Sequence, residues 1–376
     1  MRRRPFVWVG ALSLVGALLT PAPSARANEG ALSLFVRADS DRTTVIAPRV
    51  SALAVVEDRT RISGSYSADV WTSASIDIRT AATVPITEQR DQVDLSVSHE
   101  LDDVTLGASY YYSGENDYWS HAFTLRSVQD LNGNTTTLEE QVRFVYDIVG
   151  RSGDPNFNRP TQTYGAKIVL TQILSPQAIF QLAYEGSFRE GYQASPYRFV
   201  GIGGDGMCGW NPDVGQVGTA LQCVPEVHPD TRQRNAAVAR VRYAFSDDSS
   251  AGVEYRFYVD TWGILSHTAA AQIAWIPSPD QVFTLRYRFY QQSAATFYER
   301  VYDTADNRAY VTRDRENSPL FSNRVAISYQ GIASLTDDVR LKLAIAVGGT
   351  VFVYTDFIGL SEVYSLDVTG AVTLEL

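Results

Sequence analysis

The chain has 376 residues, with 32 Lys and Arg against 42 Asp and Glu, a formal charge of −10, and an aromatic content dominated by 21 Tyr and 16 Phe. An acidic chain without clustered positive charge lacks what phosphate binding requires, which excludes nucleic acid as a partner. Beyond the first twenty residues no stretch is apolar for the roughly 20 residues of a membrane-crossing helix, which excludes a helical membrane protein.

Arg2, Arg3 and Arg4, an apolar run from Phe6 to Leu19 and the small-residue site Ala25-Arg26-Ala27 have the layout of a secretory signal peptide. Residues 1–27 are therefore expected to be cleaved. No Cys lies near that site, so no lipid is expected there. The remainder, 28–376, is read as a single domain of 349 residues and, without the four arginines of the leader, a charge of −14.

From Ala31 onward the sequence alternates with a period of two, the signature of strands with one apolar and one polar face. Val104, Leu106, Ala108, Tyr110 and Tyr112 take turns with Thr105, Gly107, Ser109 and Tyr111. Phe180, Leu182, Tyr184 and Phe188 alternate with Gln181, Glu185 and Arg189, and Phe283, Leu285, Tyr287 and Phe289 with Arg286 and Arg288. The pattern predicts strands over 31–38, 42–56, 61–74, 89–100, 104–112, 118–129, 135–147, 162–174 and 178–190. It resumes over 231–245, 250–261, 264–276, 281–292, 321–330, 339–353 and 363–376. Each is about as long as a tilted strand that crosses an outer membrane.

The connections are of two kinds that take turns. "VEDRT", "HELDD", "DLNGN", "LSPQ", "SDDS", "PSPDQ" and "SLTDD" are short and polar, whereas 75–88, "YSGENDY", 148–161, 190–230 and 293–320 are longer or irregular. Loops that sort by length from end to end describe a transmembrane antiparallel β-barrel with short periplasmic turns and longer external loops. The predicted fold class is thus all-β, an outer-membrane barrel of about sixteen strands, with fourteen as the nearest alternative. The last segment, "YSLDVTGAVTLEL", alternates to the final residue because it must pair with the first strand; an open edge in lipid would leave backbone groups unsatisfied. Outer-membrane lipid and the barrel-assembly machinery are the expected partners, although the chain ends in Leu376 rather than the aromatic that machinery usually reads.

"DSDRTTVIAPRVS" (39–51), "LTQILSPQAIFQL" (170–182), "PDTRQR" (229–234), "DTWGILSHT" (260–268) and "YRFYQQSAATFY" (287–298) resemble a family of predicted outer-membrane β-barrel proteins of Gram-negative bacteria, the domain of unknown function 3570. The resemblance covers nearly all of the chain after the leader. It implies the barrel and the outer membrane but no activity; it also implies a neighbourhood of envelope redox proteins, and so a periplasmic protein partner.

Parity turns Arg49, Asp69, Asp94, Arg143, Lys167 and Arg234 inward, since an Arg or Lys facing lipid at mid-depth costs about 2–4 kcal/mol. The same rule assigns a basic lumen wall of Arg240, Arg242, Arg256, Arg286, Arg288, Arg324, Arg340 and Lys342, and lumen acids Glu139, Glu185, Glu254 and Asp260. Such a wall is either an anion filter or a set of neutralised pairs that stiffen the barrel. Cys208 and Cys223, both in the Gly-rich loop 190–230, are read as one disulfide in an exported chain; a metal pair with His228 is the weaker alternative. His121, His267 and Trp262 are placed at the rim. Trp119, Trp262, Trp275, Tyr118, Tyr258 and Tyr290 are expected to anchor the interfaces. Trp71 and Tyr111, which parity turns inward, could stack on a sugar.

No Ser and His stand two apart on the outer face, and no Asp-x-His pair occurs to position a water, so neither a lipase nor a protease is expected. Asp117, His121, Asp260 and His267 are the residues that would have to converge for a rim protease. Nothing calls for a cofactor. The expected function is a passive or weakly selective channel for small anionic solutes; the alternative is a barrel that holds or passes a partner protein.

Overall fold

The computed structural model describes residues 26–73, 75, 86–304 and 307–376. The leader expected at 1–27 falls almost wholly outside them, as does most of the connection 75–88. Strands run β1 Arg26–Asp39, β2 Thr43–Val56, β3 Thr60–Ser73, β4 Ile86–Leu101, β5 Val104–Gly114, β6 Tyr118–Leu131, β7 Thr136–Gly150, β8 Asn158–Ser175 and β9 Ala178–Gly191. Within the long loop after β9 lie β10 Phe199–Ile202, β11 Trp210–Asn211, β12 Gln216–Val217 and β13 Gln222–Pro225. The series resumes with β14 Thr231–Ser246, β15 Ser249–Asp260, β16 Leu265–Ser278, β17 Gln281–Gln292, β18 Leu320–Ser334, β19 Arg340–Tyr354 and β20 Glu362–Glu375.

Sixteen of these strands, β1–β9 and β14–β20, form one closed antiparallel barrel. Each pairs with its sequence neighbour, and β20 closes on β1 from Glu29↔Glu375 to Asp39↔Ser365. The strictly alternating C-terminal segment is thus hydrogen-bonded on both edges, to β19 and to β1. Leu32, Leu95, Leu125, Val253, Ile327 and Leu366 point outward and are each more than half exposed. A contiguous apolar belt of that size is not stable against water and marks a surface that lipid covers.

Seven tight turns lie at one end, 57–59, 102–103, 132–135, 176–177, 247–248, 279–280 and 335–339. The first of them needs two consecutive residues with positive φ, Glu57 at 51° and Asp58 at 58°, the conformation that matches the right-handed twist of the flanking strands. At the other end lie the long connections 192–230 and 293–319, with 151–157 and 355–361. The expectation of a long connection at "YSGENDY" fails: β5 and β6 continue their ladder to Gly114↔Trp119, which leaves only 115–117 as a turn.

Candidate functional site

Register converts sequence parity into a lumen wall. Across β14 to β17 two successive inward rungs read Arg242↔Gly252↔Gln272↔Arg286 and Arg240↔Glu254↔Ala270↔Arg288. Arg240 donates from Nε to Glu254 at 2.5 Å and from Nη1 to Gln181 at 2.6 Å. Glu254 also meets Arg286 at 3.9 Å, and Arg256 meets Glu185 at 3.4 Å. Arg340 lies 3.3 Å from Glu375, which Lys342 also contacts.

Arg324 on β18 reaches across β19 to a two-point contact with Asp367 on β20. It can do so because Gly348 lies beneath the guanidinium: a Cβ there would come within 2.6 Å of Arg324 Cζ. Six of the eight predicted basic-wall residues therefore hold a carboxylate. Among the described residues, Arg242 and Arg288 have none within 4 Å, and Arg288 lies over the Tyr290 ring at 5.6 Å. The wall is neither wholly free nor wholly neutralised.

Two of the predicted lumen acids serve elsewhere. Glu139 is shared by Arg126 at 2.8 Å and Lys167 at 3.4 Å, on β7, three strands away from the first strand of the basic rungs. Asp260 sits at the long-loop end, where it accepts from Arg232 at 2.5 and 2.8 Å, Tyr258 at 2.7 Å and the backbone N–H groups of Trp262 and Ile264 at 3.0 Å. That is a structural corner with no capacity left for a solute. Asp94 faces inward on β4, and Arg49 donates to Ser65 at 2.9 Å. The inward Tyr111 donates to Gln92 at 3.0 Å.

The aromatic assignments need correction. Trp119 and Trp275 are outward and exposed, as interface anchors should be. Tyr118, Tyr258 and Tyr290, however, share the inward parity of their strands, and Trp262 is buried in the 261–264 turn with Arg232 4.0 Å above its ring. His121 and His267 are on outward-facing positions, hydrogen-bonded through Nδ1 to Tyr110 at 2.8 Å and Tyr255 at 2.6 Å. Asp117, His121, Asp260 and His267 do not converge.

The long loops interlock. Cys208 and Cys223 are joined in a disulfide. His228 is not beside them: its ring bonds Gln193 O and the Thr312 hydroxyl, both at 3.1 Å. Glu226, wholly buried, accepts from Thr312 Oγ1 at 2.6 Å and from the backbone N–H groups of Arg313 and Ser195 at 2.9 and 3.1 Å, with His228 at 3.3 Å. Arg198 of the same loop pairs with Asp314 at 2.8 Å. Burial alone would raise the Glu226 carboxyl, but its bonds to His228, Arg198 and Thr312 reverse that and hold it at about 2. Trp262, Ile264, Phe297, Tyr298 and Phe357 form an apolar core that ties three connections together at this end. Tyr197 reaches Asp117, and Arg315 reaches Asp41 at 2.8 Å, so the two long loops extend to the turns at 115–117 and 40–42.

Sequence reading misses this latch, since Glu226, His228 and Thr312 lie outside any periodic segment. It also misses Asp367 and Glu375 as wall neutralisers, although parity places both on the polar face.

The family described as "Protein of unknown function (DUF3570)" matches residues 78–161 and 152–345. No curated relative matches. Among solved structures, a bacterial polysaccharide outer membrane secretin aligns over 93% of this chain and 99% of its own at 8% identity and a TM-score of 0.50. The Pseudomonas putida toluene transporter TodX aligns over 96% and 92% at 10% identity and a TM-score of 0.39. A loop-deleted OmpT, an outer membrane protein of Vibrio cholerae, aligns over 93% and 99% at 9% identity and 0.42. At such identities the likeness is one of fold, that of outer-membrane barrels.

Proposed function

Given that this chain belongs to the DUF3570 family, whose description carries no activity, we propose that it is an outer-membrane channel, passive and weakly selective, that favours small anions. The observation that carries the reading is the wall of β14–β17, where four guanidiniums face one carboxylate in a barrel of sixteen strands. Barrels of that strand number are wide enough for an aqueous channel. Excess fixed positive charge along the wall raises the local concentration of anions and lowers that of cations. Elsewhere around the lumen, pairs such as Arg126–Glu139 and Arg324–Asp367 contribute stiffness rather than selectivity. In this reading the tight turns lie in the periplasm and the interlocked loops outside.

The test is the reversal potential of refolded protein in a planar bilayer under a KCl gradient. Chloride preference is expected, and replacing Arg286 and Arg288 by Gln should move the potential toward zero. A sealed bilayer, with folding confirmed by heat-shifted gel mobility, would reject the channel. The loops packed at the outer end would then favour a barrel that holds a partner protein.

A further inference from the structure

Within the wall just described is a recess of about 510 Å³ whose rim carries Arg240, Arg242 and Arg286. Its depth has a sequence cause. Gly252 and Ala270 occupy two of the four inward positions of β15 and β16, diagonal to Glu254 and Gln272, so half of the middle of the patch carries almost no side-chain bulk. Arg288 flanks the recess, one rung from Arg286 on the same strand. Three guanidiniums thus line a hollow that holds one carboxylate, Glu254, with the fourth, Arg288, one rung away, and that carboxylate is already engaged by Arg240 at 2.5 Å.

We propose that this recess is a saturable binding site for compact multivalent oxyanions, that is, small solutes carrying two or more carboxylate or phosphate groups. The proposal rests on the channel reading and narrows its solute class. A monovalent anion is attracted by the whole patch but can pair closely with only one or two guanidiniums, whereas each further charge on a multivalent anion adds its own attraction to all of them. Three uncompensated positive charges spread over two rungs and four strands are matched only by several counterions or by one solute with several charges, and the latter releases the counterions to bulk. Arg242 and Arg288 have no carboxylate partner among the described residues, so both can turn to a solute without breaking a pair. The Arg240 head group is fixed by Glu254 and Gln181, which gives the site one rigid edge. The volume lies within the range of small-molecule pockets, roughly 300–1,000 Å³.

The experiment measures chloride current through refolded full-length protein in planar bilayers while citrate, pyrophosphate or acetate is added. Citrate and pyrophosphate should each block the current in a saturable manner, and acetate at the same concentration should not. Arg242→Gln with Arg288→Gln should weaken the block at least tenfold, whereas Arg49→Gln, which removes a lumen charge on another wall, should leave it unchanged. Block by citrate alone or by pyrophosphate alone would assign the site to that chemistry. Equal block by acetate, no block in a conducting channel, or block indifferent to the double variant would each overturn the site while leaving the channel reading intact. If the bilayer stays sealed the channel reading falls, and the site is then tested by citrate titration calorimetry on the folded protein in micelles. Heat lost in the double variant supports it, and absence of heat in the parent chain overturns it.

Discussion

Replacing Glu226 by Ala should free the outer loops from one another while leaving the barrel closed. The carboxylate is wholly buried and serves five groups drawn from both long loops: the Thr312 hydroxyl, the Arg313 and Ser195 backbone N–H groups, His228 and, at 3.8 Å, Arg198. Removal strands these buried donors, which typically costs about 3 kcal/mol. That is roughly a 150-fold rise in the open population, to be read as faster protease nicking within 192–230 and 293–319. The pH dependence follows from the depressed Glu226 carboxyl. A group at about 2 in the folded loops and at 4.5 when released contributes its stability fully above 4.5, and loses it as pH falls toward 2. Parent protein should therefore be nicked increasingly fast as pH drops through that window, whereas Glu226→Gln, already loosened, should show a flatter profile. Identical rates and identical pH profiles would show that the latch does not hold the loops.

The barrel is legible in the sequence because its physics is local and repetitive. One residue in, one residue out, over strand after strand, is enough to place every barrel strand within a few residues, and the need for an even strand number when both ends are periplasmic brings in Ala31–Ala38 as the sixteenth. Parity also names which side chains face the lumen, since it needs no knowledge of neighbours. What parity does not give is who meets whom. Arg324 and Asp367 lie two strands and 43 positions apart, and their meeting depends on the residue between them being Gly348. That Glu139 serves Lys167 and Arg126 rather than the basic wall depends on where β7 falls around the circle. The loops are less legible still: Val227 pairs with Val311 and Glu226 with Thr312 across more than eighty residues, with no periodicity to announce either. Tyr258 and Tyr290 illustrate a different failure. Position near a strand end suggests an interface anchor, but parity, applied to them as to the arginines, turns both inward.

Gly348→Val is the sharpest test of the wall. By strand propensity the change should help, because Val favours the extended backbone and Gly weakens it by up to about 1 kcal/mol. At this position the new side chain would occupy the space through which Arg324 reaches Asp367. Asp367 is only 8% exposed, so a displaced guanidinium leaves a largely dehydrated carboxylate without its partner. The cost of breaking a fully buried pair, about 3–5 kcal/mol, must be reduced here because the Arg324 side chain is 32% exposed to the lumen, and a net loss of about 2 kcal/mol is expected in urea titrations of the lipid-embedded barrel. Two controls separate the mechanism from a general intolerance of bulk. Gly349, the next residue, has the opposite parity, and a Cβ added there would meet nothing within 4 Å, so Gly349→Val should be neutral or stabilising. In a background of Asp367→Asn the Gly348→Val cost should shrink to a fraction of its value, since the pair it disrupts is already gone. Full additivity in that double variant would mean that the glycine matters for packing alone and that the strand-crossing ion pair contributes nothing to the stability of the wall.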